Sequence, residues 1–183
     1  GVKGFEPETI EWFRHARHVR FDQYAPWLPR VCGFDQVVDK DVLEIGVGLG
    51  GDHFCFAKGG NRMTALDISR EHLRLTSMHL TLEGLSTHAV YGDAEKMPFE
   101  DNSFDVVYTF GVLHHTPDFH AALSEVHRVL RPGGRIILGV YHRHSLFFWG
   151  NVVLQNGLLR GGCFRHGWEQ TLARIERGAG DDI

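Results

Sequence analysis

Between residues 42 and 51 the chain reads Val-Leu-Glu-Ile-Gly-Val-Gly-Leu-Gly-Gly, an apolar run that gives way to glycines at 46, 48, 50 and 51. Val42, Leu43 and Ile45 suit a buried parallel strand. The glycines suit a turn into a helix, where exposed backbone N–H groups can meet a ligand. The spacing fits two chemistries: Gly46, Gly48 and Gly50 form Gly-x-Gly-x-Gly, which points to a methyl-donor site. Gly46, Gly48 and Gly51 form Gly-x-Gly-x-x-Gly, which points to a dinucleotide site. Glu44 stands two residues before the first glycine. Asp67 follows Gly46 by 21 residues and suits a bidentate hold on ribose hydroxyls. Asp93-Ala94 offers a carboxylate and a backbone N–H to an adenine edge. His114 and His115 follow Gly111, and imidazoles that titrate near neutral pH suit a general base. His142 and His144 alternate on an extended segment, so they would face the same way.

Each of these residues also has a plainer reading. Glu44 could cap neighbouring N–H groups, Asp67 could open a helix, and Asp93 could form a turn. One of His114 and His115 could simply hydrogen-bond the backbone. His53 reads as a helix-start residue, and Asp101, Asn102 and Ser103 as a surface turn. Thirteen histidines invite a metal, yet no His-x-x-x-His on a clear helix and no Cys/His pair supports one, so no metal is expected.

These residues need strands and helices to carry them. Strands are expected at 42–45, 62–68, 87–91, 105–112 and 135–141. Helices are expected at 52–59, from an N-cap at Ser69 to Gly84, and from a cap at Thr116 with Pro117 first in the helix to Leu130. Arg131-Pro132-Gly133-Gly134 reads as a turn. Strand and helix therefore alternate five times, the pattern of an α/β fold with a parallel sheet between two helical layers. Residues 7–32 read as amphipathic helix in two pieces broken near Phe21 and Asp22. The cluster Arg14-His15-Ala16-Arg17-His18-Val19-Arg20 reads as a solvated helix face. Three regions result: an N-terminal helical cap at 1–39, the ligand-binding core at 40–145, and an apolar helical extension at 146–183. The extension contains Leu146 to Leu159, apolar nearly all round. It could roof an apolar pocket or join two copies, so a homodimer is one expected assembly.

Bulk properties exclude several classes. The 183 residues are 43% hydrophobic and 23% charged, an ordinary globular balance. A formal charge of −4 gives no basic footprint for nucleic acid. Cys32, Cys55 and Cys163 form no Cys-x-x-Cys pair, which favours reduced thiols and a cytoplasmic setting. No apolar stretch approaches the ~18 residues of a membrane span.

In this order the motifs resemble a class I S-adenosylmethionine-dependent methyltransferase of the small-molecule, type 11 subgroup. The matching stretches are Val42–Gly50, Ala65–Ser69, Gly92–Phe99, Ser103–Val107, Leu113–His115 and Glu125–Gly134, together covering about residues 40–141. The resemblance implies a Rossmann-like three-layer sandwich and S-adenosylmethionine as methyl donor to a small acceptor on O, N or C. It further implies that Glu44, Gly46, Val47, Gly48 and Gly50 surround the methionyl part of the donor. Asp67 with Ile68 would take the ribose, Asp93 and Ala94 the adenine, and the backbone near Gly111 the amino group. Tyr24 would reach over from the N-terminal cap, and His115 or His114 would serve as base where the acceptor needs one. The family's sheet ends with two more strands, which this chain does not visibly supply, so the chain reads as truncated at its C-terminus. A non-catalytic donor-binding protein and an NAD-dependent oxidoreductase are the alternatives.

Overall fold

The structure, a computed structural model, describes residues 4–140, and Phe5–Val140 form one compact unit. Its centre is a five-stranded sheet of β1 (Asp41–Ile45), β2 (Arg62–Asp67), β3 (His88–Tyr91), β4 (Phe104–Phe110) and β5 (Leu130–Gly139). All pairings are parallel, in the order β3-β2-β1-β4-β5. Alternate residues of each strand face opposite layers. Val42, Met63, Val106 and Tyr108 pack with Leu28, Phe34, Phe56 and Leu80 on one face. Leu43, Ile45, Leu66 and Val107 pack with Ala122, Val126 and Val129 on the other. The first face is covered by α2 (Leu28–Cys32), α3 (Gly51–Ala57) and α4 (Arg70–Leu82), the second by α5 (Phe119–Val129). The three expected layers are therefore present. Strand order reverses between β1 and β4, so a ligand crevice belongs beyond their C-terminal ends.

Local chemistry explains the boundaries. Ser69 caps α4 as expected, its Oγ accepting from the His72 amide at 3.2 Å. The expected cap at Thr116 is corrected to Asp118, whose Oδ1 accepts from the His120 and Ala121 amides at 3.0 Å each. Thr116 donates instead to the Leu113 carbonyl at 2.8 Å, closing a single 3₁₀ turn over Leu113–His115. The helix consequently begins after Pro117 rather than with it. The turn at 131–134 lies inside β5 as an irregularity: Leu130 pairs with Phe104 and Arg135 with Val106, and Gly133 at φ +79° makes the corner.

The N-terminal segment also departs from expectation. Helix α1 (Ile10–His18) runs straight into a π-helical turn at Val19–Tyr24, and the chain bends only at Ala25. Phe21 and Asp22 thus lie inside a widened turn rather than at a break. The arginines are only in part a solvated face: Arg14 is exposed, whereas Arg17 and Arg20 are partly buried. Arg14, Arg17 and Arg20 recur every third residue and so share one side of the helix, which meets α3 and α4. Arg14 and Arg17 hold Glu83 at 3.1 and 2.9 Å, and Arg17 also covers the Phe54 ring at 3.7 Å. Anions brought by the next helices draw Arg17 and Arg20 inward.

The Glu125–Gly134 motif has a structural task. Glu125 accepts from the Met97 amide at 2.7 Å, while Arg128 donates to the Met97 and Phe99 carbonyls and to Asp101. Helix α5 thereby pins the loop that follows Asp93. No helix among the described residues is long and apolar enough to cross a membrane. His142, His144, Cys163 and the apolar extension lie outside the described residues.

Candidate functional site

The turn between β1 and α3 is built on three glycines in the left-handed region, Gly46 (φ +77°), Gly48 (+52°) and Gly50 (+74°), a backbone that L-residues with a Cβ adopt at a cost. Their surroundings differ. A Cβ on Gly46 would overlap the Val112 side chain from the end of β4, so that edge of the turn is closed. Positions 48 and 111 face open space among the described residues, none of which has an atom within 4 Å of where a Cβ would stand. The turn's carbonyls are tied back by α4: Thr76 donates to Gly48 O at 3.2 Å and His79 Nδ1 to Leu49 O at 2.9 Å. The result is a cradle with a fixed floor and an open mouth.

Carboxyl groups flank it. Asp67, at the end of β2, accepts from the Val47 amide at 3.0 Å, the Ser69 amide at 2.8 Å and His72 Nδ1 at 3.2 Å. Burial alone would raise its pKa, but the hydrogen bond from His72 and the two amides together hold it below the ordinary carboxylate value. Hydrogen bonding to Asp67 outweighs burial for His72, whose pKa is raised. Glu44 is 3% exposed and meets His53 Nδ1 at 2.9 Å through Oε2. Burial first, then the negative charge of Asp52, pushes the Glu44 carboxyl well above the usual range. Burial likewise pulls His53 down to about 3. Both shifts favour the uncharged pair over the ion pair.

A second buried group sits beside it. Asp52, in the first turn of α3, accepts from Arg20 Nε and Nη2 at 2.5 Å each and from the Tyr108 hydroxyl at 2.6 Å. Tyr108 stands opposite Glu44 in the β1–β4 register. Arg20 thus joins the N-terminal segment to the glycine turn.

The expected site residues sort as follows. Glu44, Gly46, Val47, Gly48, Gly50, Asp67, Ile68 and Gly111 gather at the C-terminal ends of β1, β2 and β4. The Val47 side chain itself is buried against Ala65 and Leu73, so only its backbone serves the turn. Asp93 and Ala94 follow β3. Asp93 is exposed and also makes a turn, accepting the Glu95 amide at 2.9 Å, while Ala94 is buried. His114 and His115 share the 3₁₀ turn after β4, rings 4.0 Å apart, and burial followed by His115 lowers the pKa of His114. Tyr24 ends the π-helical turn and is 72% exposed, whereas Arg20, four residues earlier, is what reaches the glycine turn.

Arg20, Asp52, His72, Thr87 and Tyr108 were not anticipated, nor was the burial of His53. Asp52-His53 carried a signal, since two polar residues right after the glycine turn fall where α3 must face the sheet. Among the described residues no three His, Cys, Asp or Glu side chains converge as a metal site.

The parallel sheet with its glycine turn at the switch point defines a nucleoside-binding α/β domain. The family described as Methyltransferase domain matches residues 43–138, more than half of the chain. The chain belongs to that family. A sterol 24-C-methyltransferase of Gibberella zeae is 42% identical over 122 residues, which are 65% of this chain and 32% of the relative. A demethylmenaquinone methyltransferase of Staphylococcus haemolyticus is 34% identical over 137 residues, 73% of this chain and 57% of that protein. The chain therefore spans well under two thirds of either relative. The crystal structure of a SAM-dependent methyltransferase from Aquifex aeolicus shares the fold, with a TM-score of 0.59 over 71% of each chain at 18% identity.

Proposed function

We propose that this protein binds S-adenosylmethionine in the crevice above β1 and β4 and transfers its methyl group to a small, apolar acceptor. The observation that carries this reading is the open glycine turn with a carboxyl on each side, Glu44 beneath and Asp67 beside it. The cations that reach the turn, Arg20 and Arg17, already hold Asp52 and Glu83. With those cations already paired, little positive charge is left at the turn for a pyrophosphate. That balance supports a sulfonium donor over NAD, a choice the glycine spacing alone left open.

When bound, the donor supplies a methyl carbon on a positively charged sulfur that is already a good leaving group. The chain's own work is then to orient, to exclude water and, where needed, to move a proton. Asp67 holds the ribose hydroxyls, with Ile68 beside it, and Asp93 with Ala94 takes the adenine edge. Glu44, Gly46, Val47, Gly48 and Gly50 border the methionyl part, and the Gly111 backbone takes its amino group. His115 or His114 serves as base where the acceptor arrives protonated. Residues 1–39 act as a cap on the core, with Arg20 rather than the exposed Tyr24 reaching the glycine turn.

Trp27, half exposed, lies 6.2 Å from the Phe110 ring at the end of β4, which supports an apolar acceptor. The sterol and demethylmenaquinone named in two relatives have the same character. We further infer a cytoplasmic protein, active on a small molecule rather than nucleic acid, and able to form a homodimer.

Calorimetric titration with S-adenosylhomocysteine and with NAD tests the reading. Saturable binding of the adenosyl compound alone is expected, and binding of NAD alone overturns it.

A further inference from the structure

One branch of the buried polar cluster has no task in the reading above. The His53 ring is fully buried between Glu44 Oε2 at 2.9 Å and Thr87 Oγ1 at 2.8 Å, and Thr87 Oγ1 lies 3.3 Å from the Met63 carbonyl. Thr87 is partly exposed, so the series leads from a buried carboxyl out to solvent. Two proton placements satisfy it. With Glu44 protonated, its O–H donates to Nδ1, Nε2–H donates to Thr87, and the Thr87 hydroxyl donates to Met63 O. With one proton fewer, Nδ1–H donates to the Glu44 carboxylate and the Thr87 hydroxyl turns to donate to Nε2. Neither placement strands a nitrogen of His53 or the bonded oxygen of Glu44. The usual penalty for an unpartnered buried polar group is therefore avoided in both.

We propose that His53 is a positioning residue of the donor site: by exchanging tautomer it lets Glu44 lose a proton when a cationic donor enters, tying donor binding to proton release. The inference rests on the methyl-donor reading and deepens it. The Glu44 O–H bond breaks as Nδ1–H forms. The Nε2 proton passes to Thr87 as the hydroxyl proton of Thr87 leaves to water, so one proton reaches the buffer.

The groups facing the pair set its resting state. They are Asp52 of α3, Arg20 of the π-helical turn, Asp67 of β2, His79 of α4 and Tyr108 of β4. Burial, Asp52 and Asp67 favour the protonated acid and Arg20 opposes them. Burial thus favours the uncharged acid beside an uncharged imidazole, and an arriving positive charge tips the pair toward the carboxylate. The spent donor, with a neutral sulfur, tips it less. The pair therefore favours substrate over product.

Isothermal titration of S-adenosylmethionine and S-adenosylhomocysteine in phosphate and in imidazole, near about pH 7 where both buffer, reads the proton directly. The native protein is expected to release more protons with the sulfonium compound than with its product. Glu44→Gln keeps an N–H for Nδ1 but cannot ionise, so the difference between the two ligands vanishes and the sulfonium compound loses more affinity. His53→Phe removes the N–H that supports the carboxylate, so the pH profile of donor affinity moves up by about one unit, the cost of one charge-assisted hydrogen bond. His53→Gln, whose amide can still donate, recovers part of that shift. Should His53→Phe melt early, the two glutamine variants carry the test. Equal proton release for both ligands, or a His53→Gln profile indistinguishable from the native one together with an unmoved His53→Phe profile, overturns the inference alone. Failure of either adenosyl compound to bind overturns the methyl-donor reading as well.

Discussion

The two ends of the sheet handle charge in opposite ways. At the strand N-termini, Asp41 meets Arg62 at 2.6 Å and Arg131 at 2.7 Å, and Asp105 meets Arg131 at 2.9 Å. These groups stand in water, where each pair contributes little. At the C-terminal ends, Glu44, Asp52 and Asp67 are all under 9% exposed. Only Asp52 has a full guanidinium partner, while Asp67 leans on amides and an imidazole, and burial disfavours the charged form of Glu44 beside His53. Burying three carboxyls costs stability that the exposed end never spends. A fold under no functional demand would do better with apolar residues there. The contrast teaches that stability and ligand chemistry occupy opposite ends of the same five strands.

The contrast is most sharply tested where a buried charge would lose its partner. Arg20→Met should destabilise the fold by about 3 kcal/mol in urea unfolding, because Asp52 is left uncompensated, with partial exposure of Arg20 tempering the loss. A change near zero would show that the buried end is no different from the exposed one. Acid should expose the same asymmetry. Burial pulls His79 from 6.5 down to about 4, so unfolded chains take up a proton that the native state refuses. The stabilisation is complete above about pH 6.5 and is lost as pH falls through about 4, on the order of 2–3 kcal/mol. His79→Gln, which can still donate to Leu49 O and accept from Arg17, should flatten urea midpoints across that window.

Asp67→Ala should weaken binding of S-adenosylhomocysteine by about 1–3 kcal/mol, the cost of stranded polar partners. An unchanged dissociation constant would refute its ribose role. At the other end, Arg131→Ala should barely move the urea midpoint, and added salt should shrink even that. A loss as large as that of Arg20→Met would erase the distinction between the ends.

Much of this was readable from one dimension. Alternation of strand and helix gave the parallel sheet, and the glycine turn, Asp67 and Gly111 were all found where strand ends had been expected. What escaped were partnerships made by folding. Arg17 and Arg20 look solvated until Glu83 and Asp52 are brought against them from the end of α4 and from α3. His53 looks like a helix-start residue because nothing near it in sequence announces Thr87, 34 residues away. The Thr116-Pro117 start failed for a local reason, since Asp118 two residues on is the better acceptor for the first free amides. Periodicity reports which face is buried, whereas pairing of buried polar atoms depends on which other faces arrive.

The central claim is that the crevice beyond β1 and β4 receives an adenosyl compound. A crystal structure of the protein grown with S-adenosylhomocysteine tests it most directly. The account predicts the ribose on Asp67, the adenine beside Ala94, and the sulfur over the open mouth at Gly48 and Gly111. A compound bound in solution but found elsewhere on the molecule, with Asp67 still holding only its amides and His72, would contradict it.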